Sequence, residues 1–140
     1  MSTQTGTQTI FPALRYHDAP AAIDWLGRAF GFERRMVIDE PGGIVAHAEL
    51  VIGDAMIMLG SVRPPETSAF SAVAPPPGGA SIYVVVRDPD ALHARARDAG
   101  AEIVSEPYDT DYGSREFTAR DLDGNVWSFG TYQPSAERPA

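Results

Sequence analysis

Apolar positions along the chain recur with helical spacing in some segments and with the alternation of strands in others. The order of these segments predicts two copies of one unit. In each copy a strand is followed by a helix and then by three further strands. The first predicted helix, residues 19–30, carries an apolar stripe at helical spacing, and the second runs from Asp88 to Gly100. The predicted strands cover residues 9–15, 34–40, 44–52, 55–61, 81–87, 102–105, 114–120 and 125–131. The fold class is therefore predicted to be α+β.

A shift of 70 positions lays the second half of the sequence over the first. Residues 14–18 fall on residues 84–88, and each segment is an apolar strand closed by a helix-capping Asp. Residues 53–60 fall on 123–130, where each segment is a turn that leads into a strand. We interpret the chain as two βαβββ units, residues 9–61 and 80–132, within a single domain of residues 9–132.

The segment between the units, residues 62–79, is rich in proline. Five of the twelve prolines lie here. A connection of this length without secondary structure is either a flexible tether, which the proline content favours, or a functional flap. Phe70 lies in its middle, among small residues, where its ring would close an apolar opening. Residues 1–8 and 133–140 are predicted to be terminal tails.

Composition excludes several classes of chemistry. The 140 residues include no Cys and no Lys, which rules out disulfides, thiolate metal sites, cysteine nucleophiles and Schiff-base catalysis. The absence of Cys is compatible with a cytoplasmic protein. A net charge of −8 disfavours nucleic-acid binding, and no apolar run is long enough to predict a membrane span. The N-terminus lacks the basic start and apolar stretch of a secretory signal.

The paired units resemble a known family. The segments HAELVIGDAMIML (47–59) and YGSREFTARDLDGNVWSFGTY (112–132) are similar to those of the vicinal oxygen chelate superfamily, especially its PhnB-like single-domain members. This superfamily includes glyoxalases, bleomycin resistance proteins and extradiol dioxygenases. The resemblance implies two half-barrels with a ligand on their concave faces, and a homodimer. It does not fix the reaction, because the superfamily includes lyases, isomerases, dioxygenases, thiol transferases and drug-binding proteins. The frequent Ala and Arg residues without any Lys indicate a bacterial coding bias.

The resemblance also implies where a metal would bind. Enzymes of the family hold a divalent ion with His, Glu or Gln on the first and fourth strands of each unit. The equivalent positions here are Phe11, Met58, Ser81 and Ser128. A phenyl ring has no donor atom, a thioether is soft, and an unassisted hydroxyl is a weak ligand. We therefore expect no metal and no cofactor.

Strand alternation predicts what lines the cavity instead. If Met58 faces the cavity, so does Met56; if Ser81 does, so does Tyr83. Arg115 and its neighbour Glu116 lie in the segment that borders the pocket in PhnB-like relatives, and alternation does not fix which of them points inward. The expected ligand-binding residues are Phe11, Met56, Met58, Phe70, Ser81, Tyr83, Arg115 and Ser128.

His47 and Glu49 share one face of a predicted strand, and they are the candidate catalytic residues. They would form either an acid–base pair, a relocated metal site, or a polar pair on an open face. His17 and His93 are expected at the surface. Residues 121–124 resemble the start of a calcium loop, but Tyr132 stands where the bidentate Glu is required, so calcium is rejected.

The leading hypothesis is a metal-free small-molecule-binding protein of the glyoxalase/bleomycin-resistance type. It would be a homodimer that sequesters an aromatic or cationic compound, such as an antibiotic, with no nucleic-acid or membrane partner. The alternative is a metal-dependent lyase, isomerase or dioxygenase with a site relocated to His47 and Glu49. A third possibility is an interaction module whose cavity is vestigial.

Overall fold

Two four-stranded sheets make up the framework of the computed structural model, which describes residues 8–137. In each sheet the first and fourth strands pair in parallel, and the other pairs are antiparallel. The first sheet has the order β1-β4-β3-β2, and the second has the order β5-β8-β7-β6. The strands are β1 Ala13–Tyr16, β2 Glu33–Glu40, β3 Ile44–Ile52, β4 Ala55–Ser61, β5 Ser81–Val85, β6 Glu102–Asp109, β7 Arg115–Arg120 and β8 Val126–Gly130.

The internal repeat is visible in the strand register. Ala13 on β1 lies opposite Met58 on β4. In the second sheet, Tyr83 on β5 lies opposite Ser128 on β8. Both members of the second pair follow those of the first by 70 positions, so the offset found in the sequence also relates the two sheets.

Each unit contributes one long helix, α1 (Ala19–Phe30) or α3 (Pro89–Asp98). Both begin in the predicted way. The Asp18 carboxylate accepts a hydrogen bond from the backbone N–H of Ala21, and the Asp88 carboxylate accepts one from Ala91, each at 3.1 Å. Helix α1 ends at Gly31, whose φ of 86° is a left-handed conformation that favours glycine.

One hydrophobic core joins the helices to both sheets. The predicted apolar stripe of α1 is buried in it, including Trp25 and Leu26. The Phe30 ring, at the end of α1, lies 5.4 Å from the ring of Trp127 and 4.7 Å from that of Phe129, both on β8. These contacts bury the helix of the first unit against the sheet of the second and make the units interdependent.

The first strand is shorter than the expected 9–15, because it begins at Ala13. Pro12 has no N–H to donate to a ladder, although its carbonyl accepts from Met58 N at 2.9 Å. Upstream, the Gln8 side-chain amide replaces backbone pairing. It accepts from the Met56 N–H at 2.8 Å and donates to the Met56 carbonyl at 2.9 Å.

Strand β6 is longer than the expected 102–105 and continues to Asp109. Pro107 lies within it, and a proline normally argues against a strand. The strand is at the edge of the second sheet, where it pairs with β7 alone. An edge position tolerates a residue without an N–H, because that side of the strand forms no ladder.

The proline-rich linker, residues 62–79, is not structureless. It contains a 3₁₀ turn, Pro65–Thr67, and a short helix α2, Ala69–Val73. The Ser71 hydroxyl, in α2, accepts a hydrogen bond from the Arg15 guanidinium of β1 at 3.0 Å. The linker is therefore folded against the first sheet. Most of the predicted tail 1–8 and the end of the tail 133–140 lie outside the described residues. Between residues 8 and 137, no helix has the length and apolar character needed to cross a bilayer.

Candidate functional site

A cavity of about 410 Å³ opens on the first sheet, where strands β1, β3 and β4 meet the folded linker. Its volume lies in the range of small-molecule sites. We call it the first-sheet cavity. Its lining includes Arg15, His47, Met58, Arg63, Phe70 and Ser71.

Strand alternation explains which side chains reach this cavity. Leu14 and Leu59 turn into the core, which leaves Arg15 and Met58 on the opposite face. From the linker side, α2 places Phe70 over Arg15, with the guanidinium carbon 4.9 Å from the ring centroid. The linker therefore supplies one wall of the cavity. Phe70 is among the lining residues of the cavity, and it is 55% exposed.

His47 and Glu49 lie on one face of β3, opposite the buried Ala48 and Leu50. The His47 Nε2 atom lies 2.9 Å from the Glu49 Oε2 atom. His47 lines the first-sheet cavity, and Glu49 lies outside its lining. Within residues 8–137 no three His, Cys, Asp or Glu side chains gather in a way that would hold a metal. The pair therefore offers two donors without a third.

The four positions where the superfamily's metal ligands are expected do not fit a divalent ion. Phe11 precedes β1 and has no donor atom, and Met58 offers a soft thioether. Ser81 begins β5, and the Ser128 hydroxyl already lies 3.0 Å from the hydroxyl of Thr118. This donor set is chemically unsuited to the hard and borderline ions of the family's enzymes.

The expected ligand-binding residues are distributed over two surfaces. Met58 and Phe70 line the first-sheet cavity, which includes none of Ser81, Tyr83 and Ser128 among its described lining residues. Those three lie on the second sheet. Met56 lies at the start of β4, where its backbone is paired with the Gln8 side chain. A single described chain thus does not bring all of them into one cavity.

Arg115, an expected ligand-binding residue, is not among the described residues that line the first-sheet cavity. Its guanidinium forms ion pairs with Asp90 at 3.0 Å and with Asp109 at 3.3 Å. The hydrogen bond from Arg115 lowers the pKa of Asp90. Glu116, the alternative, lies opposite Gly130 and accepts a hydrogen bond from the Tyr112 hydroxyl at 3.0 Å.

Tyrosines surround Glu116 on the second sheet. The rings of Tyr112 and Tyr132 meet edge to face, with centroids 5.8 Å apart. The Tyr83 hydroxyl donates to the Tyr132 carbonyl at 2.6 Å. The hydrogen bond to Glu116 raises the pKa of Tyr112, because the carboxylate stabilises the protonated phenol. Aromatic faces beside a carboxylate form a surface that attracts organic cations. We call this group the tyrosine surface.

Arg15 was not among the predicted site residues, and His93 was predicted in the wrong place. The alternation of Arg15 with the buried Leu14 and Tyr16 could have placed Arg15 on the face of the cavity. His93 was expected at the surface but is only 8% exposed. Its ring packs against Phe117, with centroids 5.4 Å apart. Its Nε2 atom lies 2.9 Å from a Glu106 carboxylate oxygen, so it belongs to the interface between α3 and β6.

Sequence comparisons agree with this geometry. A family model described as the Glyoxalase/Bleomycin resistance protein/Dioxygenase superfamily matches residues 9–129. The uncharacterized protein Mb0911c of Mycobacterium bovis is 34% identical over 132 residues, which cover 90% of this chain and 86% of that protein.

Solved structures show the same fold. TioX from Micromonospora sp. ML1 superposes with a TM-score of 0.74 at 32% identity, over 88% of this chain and 97% of TioX. The bleomycin-binding protein of Streptomyces verticillus, solved with copper(II)-bleomycin, superposes with a TM-score of 0.60 at 25% identity, over 92% and 97% of the two chains. The two sheets thus form the glyoxalase/bleomycin resistance fold, and the chain belongs to the Glyoxalase/Bleomycin resistance protein/Dioxygenase superfamily.

Proposed function

We propose that this chain is a small-molecule-binding protein that sequesters an aromatic or cationic compound, such as an antibiotic, without a metal and without turnover. The first-sheet cavity is the observation that carries the proposal. The likeness to a bleomycin-binding protein supports a binding role. The unsuitable donor set at Phe11, Met58, Ser81 and Ser128 supports a site that works without a metal.

The cavity has the chemistry of a site for aromatic rings. The Phe70 ring is half exposed at its edge, and the Met58 thioether lies in its lining. Thioethers are polarizable and make favourable contacts with rings of different shapes. The tyrosine surface supports the cationic version of the proposal, because the Glu116 carboxylate lies beside the Tyr112 hydroxyl there.

A second candidate function is metal-dependent chemistry of the superfamily, as a lyase, isomerase or dioxygenase. The pair His47–Glu49 favours it, since the two side chains are 2.9 Å apart and His47 lines the cavity. A metal here needs further ligands from water, substrate or a second chain. In that case His47→Ala and Glu49→Gln would each remove bound metal, whereas the binding proposal predicts no metal to remove.

We further propose that the protein is a homodimer of the PhnB-like kind. Strand β5 pairs with β8 alone among the described residues, which leaves its other edge available. A cleft of about 1040 Å³ adjoins that edge, and Ile82 and Val84 are among its apolar lining residues. A second chain at this edge would cover the cleft.

The binding proposal is tested by a thermal-shift screen of cationic glycopeptide antibiotics, aromatic metabolites and thiol conjugates. A ligand at about a hundred times its dissociation constant stabilises a protein by about 2.7 kcal/mol, which raises the melting temperature by several degrees. We expect at least one compound to do so, and we expect Phe70→Ala to reduce its effect.

Val73→Ala is the matched control, because Val73 lies on the same short helix, is 78% exposed and is outside the cavity lining. It should leave the shift unchanged. A screen in which no compound stabilises the protein would contradict the proposal. Equal shifts in the wild type and in Phe70→Ala would remove the first-sheet cavity as the site.

A further inference from the structure

The first-sheet cavity has a local charge opposite to that of the whole chain. The net charge of the protein is −8. Yet none of the described residues that line the cavity is Asp or Glu, and two of them, Arg15 and Arg63, are arginines. The acidity of the molecule therefore does not extend into this cavity, and an anion entering it meets cationic side chains.

The charge of Arg63 is already neutralised, because its guanidinium lies 3.2 Å from a Glu40 carboxylate oxygen. The guanidinium of Arg15, by contrast, donates only to neutral acceptors in the described part of the chain. It donates to the Ser61 carbonyl at 3.2 Å and to the Ser71 hydroxyl at 3.0 Å. No carboxylate in residues 8–137 forms an ion pair with it. A half-buried guanidinium without a counter-charge favours an anionic ligand.

The surroundings of Arg15 indicate what else that ligand carries. The Phe70 ring lies over the guanidinium at 4.9 Å, and Met58 lies in the same lining. A planar ring entering the cavity would contact the phenyl group and the thioether. The guanidinium is planar and presents paired N–H donors that match the two oxygens of a carboxylate.

Resting on the function proposed above, we infer that the first-sheet cavity binds an aromatic carboxylate, with the carboxylate on Arg15 and the ring against Phe70 and Met58. The inference narrows the proposed ligand to an anion at this cavity. An organic cation would instead bind at the tyrosine surface, around Glu116. A carboxylate ligand is therefore expected on the first sheet, and an organic cation is expected on the second.

The test uses three probes with one ring system and different charge: 2-naphthoate, the neutral 2-naphthamide and the cationic 2-naphthylmethylammonium. Their dissociation constants are measured by isothermal titration calorimetry on the full chain. We expect naphthoate to bind at least about tenfold more tightly than the amide, since charge-assisted paired hydrogen bonds are worth more than neutral ones.

Arg15→Met keeps the aliphatic stem and removes the guanidinium. It should weaken naphthoate binding at least about tenfold and leave amide binding within about twofold. Arg15→Lys keeps the charge without the paired donors and should give an intermediate loss. Arg34→Met removes an exposed guanidinium of β2 outside the cavity and should change nothing. Circular dichroism of each variant verifies folding.

The outcomes separate this inference from the proposed function. Equal binding of naphthoate and naphthamide, tightest binding of the ammonium probe, or an undiminished naphthoate preference in Arg15→Met would overturn the inference and leave a binding protein. Binding of none of the three probes would overturn the inference, whereas the proposed function would be overturned only if the screen of antibiotics, metabolites and thiol conjugates also found no ligand.

Discussion

At the scale of single residues, Asp121 carries the densest set of polar contacts. Its carboxylate is 7% exposed and accepts hydrogen bonds from the Tyr16 hydroxyl, the Trp127 indole and the Asn125 side chain, at 2.6, 3.0 and 3.0 Å. The backbone N–H groups of Asp123 and Asn125 donate to its other oxygen. Because Tyr16 belongs to the first unit, this carboxylate joins the two units.

Replacing this carboxylate should destabilise the protein strongly. Asp121→Ala leaves several buried donors without an acceptor, and each costs about 1–3 kcal/mol. We expect the free energy of unfolding to fall by at least about 3 kcal/mol in urea titrations. Asp54→Ala, in the exposed hairpin of the first sheet, is the control and should stay within about 0.5 kcal/mol of the wild type. A similarly small change in Asp121→Ala would contradict the structural role.

Tyr16, whose hydroxyl donates to Asp121, makes the stability of the fold sensitive to alkaline pH. Burial, and then the Asp121 charge, raise the pKa of Tyr16 above its ordinary value of 10.0. The folded state therefore keeps the phenol protonated where the unfolded chain ionises it. This contribution to stability is complete below pH 10 and is lost as pH rises from there toward the higher folded pKa.

We expect the free energy of unfolding to fall more steeply with pH in the wild type than in Tyr16→Phe, between about pH 9 and pH 11. Phenylalanine has no proton to lose, so the difference between the two proteins narrows as pH rises. Urea titrations at several pH values measure it. Parallel curves would show that Tyr16 titrates alike in both states.

Residue roles were predictable where alternation alone decides them, and not where a distant partner does. The alternation of β3 placed His47 and Glu49 on one face, and the structure confirms that placement. The sequence pattern at Asp121 indicated only a resemblance to a calcium loop, which was rejected. The acceptor role of Asp121 depends on Tyr16, 105 positions away, and no local pattern indicates that contact.

At the scale of elements, the boundaries of α1 agree with the sequence because its start and stop are encoded locally. Asp18 caps one end, and Gly31 ends the other in a left-handed conformation. The late start of β1 and the secondary structure of the linker differ from the sequence predictions, and both elements make non-local contacts. A side chain, that of Gln8, replaces strand pairing, and the linker forms its own short helix, whose Ser71 hydroxyl also accepts a hydrogen bond from Arg15 of the first sheet.

The C-terminal end of α1 also has a partner that the sequence did not indicate. The Arg95 guanidinium, from α3, donates to the carbonyls of Arg28 and Gly27 at 2.8 and 2.9 Å. A cation that satisfies terminal carbonyls stabilises a helix. This contact attaches the helix of one unit to that of the other.

Arg95→Met should therefore lower the free energy of unfolding by about 1–2 kcal/mol. Arg97→Met is the matched control on the same helix. Arg97 pairs with Asp98 through exposed side chains, and such pairs contribute little, so its loss should cost less than about 0.5 kcal/mol. Equal effects of the two substitutions in urea titrations would contradict the capping role.

At the scale of the whole molecule, the fold was predictable from the internal repeat. The set of residues that lines one ligand site was not. The offset of 70 residues gave two similar units, and the structure confirms it in the pairs Ala13–Met58 and Tyr83–Ser128. The expected ligand-binding residues nevertheless lie on two sheets. Under the homodimer proposal a second chain would bring two such faces together, and strand alternation in one chain does not describe that contact.

The homodimer proposal predicts a sedimentation mass of two chains. Val85 lies on β5 and is 40% exposed. Val85→Asp would place a charge at the proposed contact and should shift the mass toward one chain. Val73→Asp introduces the same charge on α2, away from β5, and should leave the dimer intact. A wild type that sediments as a single chain would refute the proposal.

The central claim is that this member of the superfamily binds its ligand without a metal. The claim depends on the residues at the four expected ligand positions, and above all on Met58, which lines the cavity. Elemental analysis of protein purified without a chelator tests it most directly. The account predicts well under one zinc, nickel, iron or manganese ion per chain. One such ion per chain, lost in His47→Ala, would contradict it and favour the relocated metal site.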